Sequence, residues 1–265
     1  MTAETEKKKQ NRLKKHKYVT CPDLLEKDES FILCTKADAL RSTMMFKESI
    51  PKYLRAILLN RENLEAYYGL ALSYKHLQEF PKAVSTLEKA LNIDSKNKDI
   101  NYELGICLLL DGKPAEAMNV LRDAIKLDNK NLNAQVQLAI AHELCDEDEM
   151  ALLIYDKINE EAPDYFKAHQ HKAALLMSLE EYKEACSIFY QILKLNPKYE
   201  KAILGIGICF DKLKRFTDAV RYYRKFLMSM PTSEHFSHVR ERISKIKLFH
   251  KRKNTLTVVS QKQSD

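Results

Sequence analysis

The sequence predicts an all-α fold, an α-solenoid of six 34-residue helix-turn-helix repeats closed by a C-terminal capping helix, and three observations carry that expectation. Only 5 Gly and 7 Pro among 265 residues leave little material for turn-rich β structure. From Ser30 onward, six blocks of 34 residues follow one another without insertion or deletion: 30–63, 64–97, 98–131, 132–165, 166–199 and 200–233. After them Phe236, Val239, Ile243, Ile246 and Phe249 recur at helical spacing, with Arg240, Glu241, Arg242, Lys245 and Lys247 between them, as in an amphipathic helix.

The chain therefore divides into a basic N-terminal tail (1–29), the repeats (30–233), a capping helix (234–250) and a disordered basic tail (251–265). Within the blocks, position 8 is always small: Ala37, Ala71, Gly105, Ala139, Ala173, Gly207. Position 20 is Ser49, Ala83, Ala117, Ala151, Ala185, Ala219, and position 24 is bulky: Tyr53, Leu87, Leu121, Tyr155, Phe189, Tyr223. One helix and a short turn separate positions 8 and 20, so two small side chains face each other across an antiparallel pair and let the backbones approach. Position 24 follows position 20 by one helical turn on the same face and fills the space beside that approach. Pro81 and Pro114 fall at the start of second helices, where a missing N–H costs nothing, and Gly112 precedes one of them. Pro163, Pro197 and Pro231 close the last three blocks.

Small residues at 8 and 20, an aromatic or Leu at 24, Ala at 27 (Ala56, Ala90, Ala124) and Pro at 32 together resemble the tetratricopeptide repeat family over about 204 residues. The resemblance implies a right-handed superhelix that serves protein binding. Two departures stand out. Position 27 is Ile158, Ile192 and Phe226 in the last three blocks, and the acidic run Asp146-Glu147-Asp148-Glu149 replaces a turn aromatic, so a looser fourth hairpin is expected. Block one, with Lys36 and Ser49 at usually apolar or small positions, reads as an N-terminal cap.

In this family positions 2, 5, 9, 12 and 13 face the concave side. Transferred to the middle blocks they are Glu65, Tyr68, Leu72, Lys75, His76; Asp99, Tyr102, Ile106, Leu109, Leu110; and Asn133, Val136, Ile140, Glu143, Leu144. So apolar a wall implies a groove for an amphipathic helix or extended peptide of another protein. Lys167, Gln170, Lys201, Asp211 and Lys212 make the later blocks polar and basic, suiting a ligand with acidic residues after an apolar stretch. Members that grip chaperone C-termini use Lys and Asn at positions 5 and 9, where this chain has Tyr68 and Leu72 or Tyr102 and Ile106, so that ligand is not expected.

Charge offers a second reading. The net +7 lies outside the repeats, which hold 28 Lys+Arg against 28 Asp+Glu. The clusters are Lys7-Lys8-Lys9 with Arg12, Lys14, Lys15 and Lys17, and Lys251-Arg252-Lys253; nucleic acid or an anionic surface is the alternative partner. No nucleophile elbow, phosphate-cradling loop or zinc motif appears, so neither catalysis nor a cofactor is expected. The pairs His169/His171 and His235/His238 lack the further ligands a metal needs. Six scattered cysteines, Cys21, Cys34, Cys107, Cys145, Cys186 and Cys209, without an apolar leader or spanning segment, point to a reduced, cytoplasmic protein.

Overall fold

The computed structural model describes the backbone of residues 22–261 and the side chains of residues 28–249. Among the described residues there are thirteen helices and no strand. In chain order they are α1 (Pro22–Ser42), α2 (Phe46–Leu59), α3 (Leu64–His76), α4 (Phe80–Ile93), α5 (Lys98–Leu110), α6 (Pro114–Leu127), α7 (Leu132–Glu143), α8 (Asp148–Glu161), α9 (Phe166–Ser178), α10 (Tyr182–Leu195), α11 (Glu200–Lys212), α12 (Phe216–Ser229) and α13 (Phe236–Gln261). They fall into two compact units, one ending at Asn129 and one beginning at Lys130. In each unit a helix packs chiefly on its neighbours in sequence, the arrangement of an α-solenoid.

The hairpin turns share one geometry. Position 15 of every block, Met44, Gln78, Gly112, Asp146, Glu180 and Lys214, has a positive φ between 60° and 74°. Around Gln78 the Glu79 N–H donates to the Tyr74 carbonyl at 2.9 Å and the Gln78 N–H to the Lys75 carbonyl at 3.0 Å, which is a Schellman cap. The same two bonds recur at each of the other five turns. The fourth hairpin is therefore no looser than the rest: Asp146 has the same φ, and Glu147 reaches back to the buried His142 ring, Oε2 to Nδ1 at 2.5 Å. Only Gly112 is a residue that adopts this conformation freely. Gln78→Gly is expected to raise the unfolding free energy by about 1 kcal/mol, and Gly112→Ala to lower it by about as much. A Cβ at Gly112 meets nothing within 4 Å, so urea unfolding of that variant reads the backbone cost alone.

Side-chain packing follows the repeat, with one partner the spacing did not suggest. A Cβ on Gly105 would lie 2.5 Å from Leu121 in the same hairpin, and one on Gly207 2.7 Å from Tyr223. A Cβ on Gly205 would lie 2.5 Å from Phe189 of the preceding hairpin, and one on Gly69 would run into Tyr53. The bulky position-24 residue thus packs on position 8 of its own hairpin, as Leu121 and Tyr223 do, or on position 6 of the next, as Tyr53 and Phe189 do. Tyr53, Leu87, Leu121 and Tyr155 are fully buried. The first helices of the first unit are started by Asn63 and Asn97, whose side chains accept the Ala66 and Ile100 N–H at 3.0 and 3.2 Å; Asn131 does the same for Ala134 at the start of the second unit.

Both ends depart from expectation. Helix α1 starts at Pro22, inside the segment read as a tail, and the clusters between Lys7 and Lys17 lie outside the described residues. In block one Lys36 is exposed, as are Phe31 and Ile32, while Ser49 is buried with its Oγ 2.8 Å from the Ser73 Oγ. Helix α13 runs through to Gln261, so Lys251-Arg252-Lys253 is helical where a disordered tail was expected. It docks through Val239, Ile243 and Ile246, and Arg242 grips both Asp211 carboxylate oxygens at 2.6 and 2.7 Å.

Candidate functional site

In the first unit the residues expected to face a ligand lie on α3 and α5. Glu65 and Tyr68 of α3 and Asp99 of α5 line one hollow of about 190 Å³ with Leu64, Asn97 and Ile100. Burial, aided by the Glu103 and Asp99 carboxylates, pushes the Tyr68 phenol up to about 12. It stays protonated and can donate a hydrogen bond. Leu72, Tyr102, Ile106 and Leu109 are half-buried along the same helices, and Leu110 is exposed. Lys75 is not a free cation. Its Nζ donates to Glu103 Oε2 at 2.5 Å, with both side chains largely buried, and this cross-hairpin pair ties α3 to α5. Glu103 was not among the expected residues; the signal available was an acid at position 6 one block after a lysine at position 12. His76 also departs, its ring stacked on Phe46 at 4.4 Å.

The second unit changes more of the expected wall. Val136 is 2% exposed and belongs to the core with Ala139, Tyr155 and Leu175, while Ile140 packs partly against that core. Helical periodicity puts position 5 near the boundary between the two faces, and a β-branched Val turned inward there. Glu143 and Asp211 are also withdrawn from ligand duty: Tyr155 Oη donates to Glu143, and Tyr223 Oη to Asp211 Oδ2 at 3.0 Å. In the first unit Tyr53 does the same with Asp38 Oδ1 at 2.6 Å, and Arg41 donates to its hydroxyl at 3.1 Å. Each buried phenol thus meets a carboxylate on the partner helix, as a hydroxyl cut off from water requires. Lys167 and Tyr165 both donate to Asn133 Oδ1, at 2.8 and 2.9 Å. Lys201 lies apart from Lys167, lining a hollow of about 630 Å³ with Met177, Leu204 and Ile208. Lys198 adds a cation to that hollow and Glu200 and Glu234 add carboxylates, so its rim is mixed rather than basic.

Two histidines and four cysteines serve packing. His169 is buried with Nε2 against the Pro163 carbonyl at 2.8 Å, and the His171 ring stacks on Tyr155, burial and then Lys167 holding its pKa down. Cys34, Cys107, Cys186 and Cys209 are buried free thiols; burial pushes Cys34, Cys107 and Cys209 up to about 12, far from thiolate reactivity. Among the described residues no three His, Cys, Asp or Glu side chains gather as a metal site, and no helix is long and apolar enough to cross a membrane.

A Tetratricopeptide repeat sequence profile matches residues 64–97, 99–131 and 166–199, and a second profile of the same description matches 201–229. The chain is a tetratricopeptide repeat protein. No curated protein matches this tetratricopeptide repeat chain in sequence. Solved structures resemble it in fold. The C-terminal part of a TPR repeat-containing protein from Cytophaga hutchinsonii is 17% identical, covers 83% of this chain and 90% of its own, with a TM-score of 0.72. PilW, a widely conserved type IV pilus biogenesis factor, is 19% identical over 79% of this chain and 97% of its own, with a TM-score of 0.68. PilF of Pseudomonas aeruginosa is 15% identical over 82% of this chain and 99% of its own, with a TM-score of 0.64.

Proposed function

We propose that this tetratricopeptide repeat protein is a non-enzymatic scaffold whose first-helix faces hold a peptide or amphipathic helix of another protein. The α3/α5 face carries the reading: half-buried Tyr68, Tyr102, Leu72 and Ile106 beside a hollow that also offers Glu65 and Asp99. Aromatic and aliphatic surface supplies burial energy, and a few polar groups supply register. Leu109 extends the apolar surface, and Lys75, neutralised by Glu103, stiffens the face rather than attracting an anion. In the second unit Ile140, Lys167 and Lys201 are the residues proposed to touch a ligand; Val136 supports them from the core.

The test compares retention of a partner from source-cell lysate by wild type, by the Tyr68→Glu/Tyr102→Glu/Ile106→Glu variant, and by a chain lacking residues 1–21. A scaffold of this kind loses its protein partner on the order of tenfold or more in the triple variant and keeps it without the basic segment. Circular dichroism establishes that the triple variant is still helical. Recovery of nucleic acid or lipid only, dependent on residues 1–21 and falling steeply with salt, replaces the scaffold reading by the anionic-surface one.

A further inference from the structure

A hollow in the second unit lies away from the first-helix faces, between α12 and α13, with a volume of about 770 Å³. Its wall is built from two ridges of α12 whose members stand four residues apart: Phe216, Val220, Arg224 and Met228 on one, Thr217, Arg221, Lys225 and Ser229 on the other. Side chains spaced this way form parallel ridges with a groove between them, the surface into which another helix packs. From Phe216 to Met228 the ridge is about 18 Å long at 1.5 Å per residue, the reach of a three-turn helix. Ile246 and Lys247 of α13 form the opposite side. The apolar lining is open to solvent at Met228, which is 84% exposed, while Phe216 and Val220 are half-buried and Ile246 is buried.

The charge on this cleft has one sign. Asp218, the nearest carboxylate on α12, is held by Arg215 at 2.7 Å and Arg221 at 3.2 Å. Arg224, Lys225 and Lys247 line the cleft, and no ion pair to any of them is seen among the described residues. We infer that the α12/α13 cleft is a second docking site, taking an acidic amphipathic helix of a partner protein, with apolar residues between α12 and α13 and carboxylates over Arg224, Lys225 and Lys247. Charge complementarity selects this occupant. It also argues against the chain's own N-terminal segment, whose first 21 residues carry seven Lys and Arg against two Glu.

The probe is a fluorescein-labelled synthetic helix of about fourteen residues, with Leu at i, i+4, i+7 and i+11 and Glu on both flanks, titrated against the full-length protein by anisotropy. Saturable binding is expected, at least about tenfold weaker for Arg224→Glu/Lys225→Glu and weaker in rising salt. Both side chains are exposed, so that variant folds; Met228→Ser, equally exposed, tests the apolar contribution and is expected to weaken binding several-fold. The Tyr68→Glu/Tyr102→Glu/Ile106→Glu variant binds like wild type, which keeps this site separate from the α3/α5 face. The inference is overturned if a scrambled peptide of the same charge binds equally well, or if Arg224→Glu/Lys225→Glu changes nothing. It is equally overturned if a single-stranded RNA binds the cleft while the peptide does not, or if sedimentation shows a self-association that Arg224→Glu/Lys225→Glu abolishes and the peptide fails to displace.

Discussion

Replacing Gly69 with Ala is expected to lower the unfolding free energy by about 1–3 kcal/mol, the cost of overpacking a well-filled core. The added methyl would occupy space held by the ring of Tyr53, which is fully buried. A leucine in that place could rotate away. Tyr53 cannot do so cheaply, because its hydroxyl donates to Asp38 at 2.6 Å and accepts from Arg41 at 3.1 Å. Moving the ring would break both contacts and leave Asp38 and Arg41 to find water. The check is a double-mutant cycle by urea denaturation with Tyr53→Leu. Shortening the ring makes room for the methyl, so the double variant should lose clearly less than the two single losses added together. Simple additivity would mean that Gly69 is not shaped by Tyr53.

Tyr155→Phe is expected to cost about 1.5–3 kcal/mol near neutral pH, because it strips a half-buried carboxylate of its donor. Burial holds the Glu143 carboxyl above its ordinary pKa, and the Tyr155 hydroxyl pulls it part of the way back. A carboxyl whose folded value is raised binds its proton more tightly in the folded state. Its contribution therefore favours folding at low pH and is lost as pH climbs through the folded value. Without the phenol hydroxyl that value moves higher still. The difference between wild type and Tyr155→Phe should accordingly shrink as pH falls through the raised Glu143 value and widen toward pH 7. A difference that stays constant across this range would assign the loss to packing alone. Tyr223→Phe makes a parallel case, although there Arg242 also holds Asp211 and the cost should be smaller.

The fold was legible because a strict period repeats one packing solution: small at 8 and 20, bulky at 24. The turns were not, because the Schellman cap is satisfied by backbone alone and Met44, Gln78, Asp146, Glu180 and Lys214 carry no glycine signal. The packing of position 24 was legible in retrospect. Gly69 and Gly205 stand sixteen residues after Tyr53 and Phe189, whose rings fill the space a side chain there would take, whereas His171, sixteen after Tyr155, stacks on that ring. The candidate wall was read by position number, which distinguishes faces but not what a polar side chain does on one. Position 12 illustrates the difference. Lys75 faces a neighbouring helix's Glu103, while Glu143 and Asp211 serve tyrosines of their own hairpins. A tyrosine at 24 with an acid at 12 in the same block was the available cue, present in the fourth and sixth blocks and absent where Leu or Phe fills position 24. The α12/α13 cleft had no such cue, since it depends on where the last helix docks.

Packing that links each helix chiefly to its sequence neighbours has a kinetic consequence. Contacts in each unit join residues about one repeat apart or less, so little loop entropy must be lost before a hairpin gains its partner, and assembly is fast for a chain of this length. Any hairpin can serve as the nucleus, because all use the same turn. The same locality lets a terminal hairpin open without disrupting the others. Amide exchange should therefore be graded along each unit, slowest at its interior helices and fastest at its ends.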